Sequence, residues 1–141
     1  MQSDDLNAQK QAARRAARQR LAQISPQEFS AIGAAMWQTL QAQPAWQSAE
    51  SVFCFVGALH EPDTMPILQG ALSAGKQLLV PRIAGPGQMQ LVPLQSLEQL
   101  QPGAFGILEP PQALPAVPAG SGVQLAVLPC LAATRGGARL G

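Results

Sequence analysis

The chain has 141 residues, 47% hydrophobic and 12% charged, with nine Lys or Arg against eight Asp or Glu and a formal net charge of +1. That length and apolar share suit a single domain over residues 1–141 with its own core. No stretch approaches the roughly 18 apolar residues of a membrane span, and the first twenty residues lack the apolar segment of a secretory signal, so a cytoplasmic protein without membrane attachment is expected.

From Leu6 to Ile24 the chain is rich in Ala, Gln and Arg, which predicts a helix. "SPQE" predicts a second helix start, with Ser25 as cap, Pro26 in the first turn and Glu28 completing a capping box. Phe29, Ile32, Gly33, Met36, Trp37 and Leu40 follow at helical spacing as one core stripe, which Pro44 is expected to break. "SVFCFVG" (51–57) reads as a strand buried on both faces. Thr64 is expected to cap a helix that runs through Ala74 and closes at Gly75–Lys76. "QLLVPRI" is the next strand, "MQLVPL" a third and more exposed one, and "VQLAVLPCL" (123–131) the fourth and most apolar. Between the last two lies a Pro- and Gly-rich segment, 101–122, whose Phe105, Ile107 and Leu108 predict an extended loop docked on the domain. This order predicts an α/β fold: a single domain with a mixed, largely parallel sheet flanked by helices.

The net charge conceals an asymmetry. Lys10, Arg14, Arg15, Arg18 and Arg20 cluster in the first predicted helix, and Arg135 and Arg139 lie near the other end. Cys54 and Cys130 each sit in an apolar run and read as structural thiols. With a single histidine, His60, and no Cys-x-x-Cys pair, zinc-site spacing is absent.

Three stretches carry candidate chemistry. In "KQAAR", Lys10 and Arg14 are four residues apart and share a helix face, a spacing that fits polyphosphate as well as a solvated cationic surface. In "LHEPDT", just past the first strand, Asp63 and Thr64 are assigned to helix capping and Glu61 to recognition of a ligand N–H group. In "ATRGGARLG" (133–141), glycines beside Arg135 and Arg139 suit phosphate binding by backbone N–H groups, although the P-loop pattern is absent.

Taken in order, Lys-x-x-x-Arg, "SPQE", "HEPDT", "GKQLLVPRI", "PGAFGILEPP" and "LAVLPCLA…GGARLG" resemble the 5-formyltetrahydrofolate cyclo-ligase (methenyltetrahydrofolate synthetase) family over nearly the whole chain. The resemblance implies a ligase that uses ATP and Mg2+ and is monomeric. In such an enzyme the formyl oxygen of 5-formyltetrahydrofolate is phosphorylated and N10 attacks. 5,10-Methenyltetrahydrofolate forms, with release of ADP and phosphate. Carried onto this chain, the family pattern places ATP at Lys10, Arg14, Arg139, Leu140 and Gly141, and folate at Val56, Glu61 and Phe105. It singles out no catalytic side chain and no metal ligand.

The departures from the pattern are specific. Family members continue from "RLG" into a glycine- and tyrosine-rich motif with an aspartate near magnesium, which is not found here, so the domain is expected to be incomplete at its C-terminus. Cys130, Ala133 and Thr134 stand where the family has glycine, an aromatic residue and aspartate. Little or no turnover is therefore expected from these 141 residues alone. A folate-binding remnant without a complete ATP and magnesium site is the alternative. Nucleic-acid binding by the first helix ranks last, because no aromatics interleave its arginines.

Overall fold

The computed structural model describes residues 2–103, 106–118 and 120–141. Helix α1 spans Gln2–Leu21, α2 Pro26–Gln41, α3 Pro44–Ser48 and α4 Met65–Ser73. Strands β1 (Ser51–Cys54), β2 (Gln77–Gly85), β3 (Gln88–Leu94) and β6 (Leu125–Val127) form one sheet in the order β3-β2-β1-β6. β1 runs parallel to both β2 and β6, and β3 is antiparallel to β2. Two short antiparallel pairs complete the chain: β4 (Gln101–Pro102) with β5 (Leu108–Glu109), and β7 (Ala132–Ala133) with β8 (Arg139–Leu140). The fold is thus α/β with a mixed, mostly parallel sheet. Among the described residues no helix is long and apolar enough to cross a membrane.

The helix signals act as their chemistry dictates. Ser25 accepts a hydrogen bond from the Glu28 N–H and Glu28 reaches back to the Ser25 N–H, which completes the capping box of α2. Pro44 does more than end α2: it occupies the first turn of α3, where its missing N–H costs nothing. Gly75, at φ +72°, closes α4 while the Lys76 N–H bonds back to the Ala71 carbonyl.

Alternation along the strands sorts the core. Val52, Cys54, Val56, Leu78 and Val80 point to the face covered by Ile67, Leu68 and Ala71 of α4 and by Trp46 of α3. Trp37 meets Trp46 edge-on at 5.1 Å, and Gly70 leaves room for its ring between α2 and α4. Trp37 is therefore a packing residue, as its spacing predicts.

Three expectations change. The apolar run 123–131 forms only a three-residue strand, with Leu125 and Val127 half-buried and Ala126 exposed. β6 pairs on one side only, and Pro129 has no N–H for a longer ladder. Cys130 is consequently exposed rather than packed. Thr64 precedes α4 without capping it by side chain; Asp63 does so, accepting from the Met65 N–H at 3.0 Å.

Of the segment 101–122, the described stretch 106–118 is docked, by anchors that its composition does not reveal. Arg82, 4% exposed, donates to the carbonyls of Pro111 (2.8 Å) and Leu114 (2.7 Å) and to Gln90 Oε1. Glu109, also buried, accepts from the Ile83 N–H at 3.1 Å. Val117 bridges to Leu91. A buried guanidinium is tolerable only when its donors are satisfied, and backbone carbonyls satisfy it here.

Candidate functional site

The carboxyl ends of β1 and β6 open on one side of the sheet, where α/β proteins bind ligands. A cleft of about 510 Å³ lies there. One wall is the segment after β1, with Phe55, His60, Glu61 and Pro62; the other is the segment after β6, Leu128 to Leu131, together with Gly141. Arg18 and Leu21 of α1 and Met36 of α2 close the remaining side.

The first wall is a dense local network. Thr64 Oγ1 donates to the Phe55 carbonyl (2.8 Å) and accepts from the Gly57 N–H (3.0 Å). Glu61 Oε1 accepts from the Ala58 N–H at 2.9 Å, leaving its other oxygen for a ligand. The Asp63 N–H donates to the Phe29 carbonyl at 3.3 Å, which ties the turn to α2. Gly33 allows this approach, because a Cβ there would overlap the Asp63 carbonyl. His60 sits at φ +64°, an uncommon conformation for a residue with a Cβ, and lines the cleft. Behind the wall, burial pushes the Cys54 thiol up to about 12, against a smaller opposing pull from the Thr64 hydroxyl.

The second wall leads into a β-hairpin, β7–β8, that joins Leu131 to Gly141. Thr134 and Ala138 close it: the Thr134 N–H donates to the Ala138 carbonyl at 2.9 Å, and Thr134 Oγ1 accepts from the Ala138 N–H at 3.0 Å. Gly137, at φ +94°, supplies the turn. "ATRGGARLG" is therefore folded on itself, and its turn N–H groups at Thr134, Gly137 and Ala138 are already bonded internally. Leu140 accepts from the Leu131 N–H at 2.8 Å, and Arg139 Nη1 donates to the Pro129 carbonyl at 3.2 Å.

Of the residues singled out in the sequence, the structure unites Arg14 with Gly141. The Arg14 Nε donates to the Gly141 carbonyl at 2.8 Å across 127 positions of chain. Glu61 and Gly141 line the same cleft. Lys10 lies on the exposed surface of α1, two turns from Arg18 and one from Arg14. Val56 is 4% exposed and belongs to the core, so it supports the cleft from behind. Phe105 lies outside the described residues. Arg18, Phe55 and His60 also line the cleft and were not among the contacts expected from the sequence; for Arg18 the available signal was its place four residues beyond Arg14.

A larger hollow, about 770 Å³, opens at the other end of the sheet around Glu50, Lys76 and Gln124. Its cation is already committed, since Lys76 Nζ donates to the Trp46 and Ala49 carbonyls at 2.8 and 2.6 Å. Among the described residues no group of three or more His, Cys, Asp or Glu gathers to hold a metal. The described residues therefore offer no carboxylate cage that fits Mg2+.

Residues 6–141 match the sequence model of the 5-formyltetrahydrofolate cyclo-ligase family. The chain belongs to that family. The cyclo-ligase fold is evident in a solved relative as well: the NMR structure of 5,10-methenyltetrahydrofolate synthetase from Aquifex aeolicus superposes with a TM-score of 0.79 at 25% identity. That likeness covers 94% of this chain and 66% of the relative, so the chain spans just under two thirds of the Aquifex aeolicus synthetase's length. No curated protein sequence matches it significantly.

Proposed function

We propose that the cleft serves the ATP-dependent conversion of 5-formyltetrahydrofolate to 5,10-methenyltetrahydrofolate, in the cytoplasm, with ADP and phosphate as co-products. The observation that carries this reading is the single cleft shared by Glu61 and Gly141, with Gly141 tied to a cationic helix by Arg14. On this reading the free Glu61 oxygen accepts hydrogen bonds from the pterin ring, and Phe55 supplies an apolar surface beside it. Lys10, Arg14 and Arg139, with the Leu140–Gly141 backbone, hold the ATP phosphates, Lys10 as a point charge and the arginines as planar forks. Phe105 completes the folate side, while Val56, buried in the core, backs the cleft without touching the ligand. ATP enters as a co-substrate that makes the formyl oxygen a leaving group.

A second reading has its own support. Arg14 and Arg139 each spend a donor on a backbone carbonyl, which leaves fewer for phosphate and favours a protein that binds folate without turning it over. One assay separates the two. 5-Formyltetrahydrofolate is mixed with the chain, with and without ATP and Mg2+, and 5,10-methenyltetrahydrofolate absorbance is followed. Slow formation that requires ATP and is abolished by Glu61→Gln supports the cyclisation. No formation, with folate binding intact by calorimetry, supports the remnant.

A further inference from the structure

Arg18 has no part in the family pattern read from the sequence, yet of the cations on α1 it is the one that lines the cleft. Lys10, Arg14 and Arg18 stand at i, i+4 and i+8 of one continuous helix. Each step rises about 6 Å and turns about 40°, so the three form a slowly winding cationic stripe about 12 Å long. Arg14, in the middle, is fixed by its bond to the Gly141 carbonyl, and Gly141 lines the cleft. The stripe therefore runs from the exposed surface at Lys10 into the space that contains Glu61. At that inner end Arg18 is exposed, and its guanidinium makes no hydrogen bond among the described residues. An unengaged planar fork at the end of a cationic track matches a terminal phosphate better than a neutral ring.

We propose that Arg18 holds the terminal phosphoryl group of the nucleotide as it passes to the folate side, a specificity role for ATP over ADP that rests on the function proposed above. In that transfer the formyl oxygen forms a bond to the γ-phosphorus. The bond from that phosphorus to the bridging oxygen breaks, and its electron pair leaves with ADP. The N10 lone pair then bonds to the former formyl carbon, and the N10 proton passes to solvent. The carbon–oxygen bond breaks, with its electrons leaving on inorganic phosphate. Arg18 faces the phosphoryl oxygens throughout, and their charge is what its guanidinium offsets.

Calorimetric titration of the chain with ATP, ADP and 5-formyltetrahydrofolate tests the assignment, with Arg18→Ala, Arg18→Lys and, as a control for general charge, Arg15→Ala. The expected result is tighter binding of ATP than ADP by the unmodified chain. Arg18→Ala should weaken ATP about tenfold, leave ADP and folate within about twofold, and erase the preference. Arg18→Lys should be intermediate, and Arg15→Ala unchanged. An equal loss for both nucleotides, no loss for either, or a loss confined to folate overturns the assignment while leaving the proposed function standing. An unmodified chain that binds neither nucleotide nor folate overturns both.

Discussion

The two walls of the cleft are built on different principles. The turn after β1 is over-determined: Thr64, Glu61 and Asp63 each spend side-chain atoms on nearby backbone, and α2 presses on the turn through Gly33. The hairpin after β6 is exposed along most of its length and reaches the rest of the molecule through few bonds, chiefly Arg14 to Gly141. Recognition of a flat, invariant ring is suited to the first wall, where the acceptor is held before the ligand arrives. The second wall is suited to a group that must be admitted and released, since elements with few buried contacts open at low free-energy cost.

The sharpest way to break this contrast is a pair of glycine substitutions. At Gly33 a Cβ would overlap backbone that cannot yield, so Gly33→Ala should destabilise the protein by about 2–4 kcal/mol in urea denaturation. At Gly136 the nearest atom to a new Cβ is Thr134 Oγ1 at 3.9 Å, and Gly136→Ala should stay within about 0.5 kcal/mol. Equal costs at the two positions would mean that the walls do not differ as described. Next in size, Thr64→Val leaves the Phe55 carbonyl and the Gly57 N–H without their partner and should cost about 2–3 kcal/mol by the same measurement, whereas Thr64→Ser should cost well under half of that.

On the hairpin side the effect should fall on binding more than on stability. Arg14→Ala should weaken ATP about tenfold by calorimetry while shifting the urea midpoint little, because the Arg14–Gly141 bond is exposed. The smallest effect is chemical. At pH 8 a disulfide reagent should titrate Cys130 at once and Cys54 only after denaturation. The Cys54 thiol is raised from 9.0 to about 12 on folding, so its contribution to stability is complete below about pH 9 and is lost as pH rises toward 12. Stability of the Cys54→Ala protein should therefore fall less steeply across that window.

The sequence reveals the first wall better than the second, and the reason is range. The capping box at Ser25, the buried strand at 51–56 and the Gly75 helix stop depend on neighbours a few positions away, and each is where its local chemistry puts it. Glu61 was legible because residues just past a parallel strand face the crevice. Thr64 misled because the hydroxyl that would cap a helix found a better partner nine residues back, at Phe55. The run 123–131 misled because hydropathy does not say how many neighbours a strand will have, and β6 pairs on one side alone. Arg82 and Arg14 act across 29 and 127 residues respectively, and no spacing rule reaches that far. Arg18 lay within reach of such a rule, one turn beyond Arg14, but only the cleft distinguishes it from the other arginines of α1.

The claim that the cleft is a folate site with a prebuilt acceptor rests most directly on Glu61. Glutamine at this position keeps an oxygen for the Ala58 N–H and so preserves the turn, while it removes the negative charge. Calorimetry of Glu61→Gln with 5-formyltetrahydrofolate should show binding weakened about tenfold or more, with ATP affinity and the urea midpoint unchanged. Folate affinity equal to that of the unmodified chain would contradict the account.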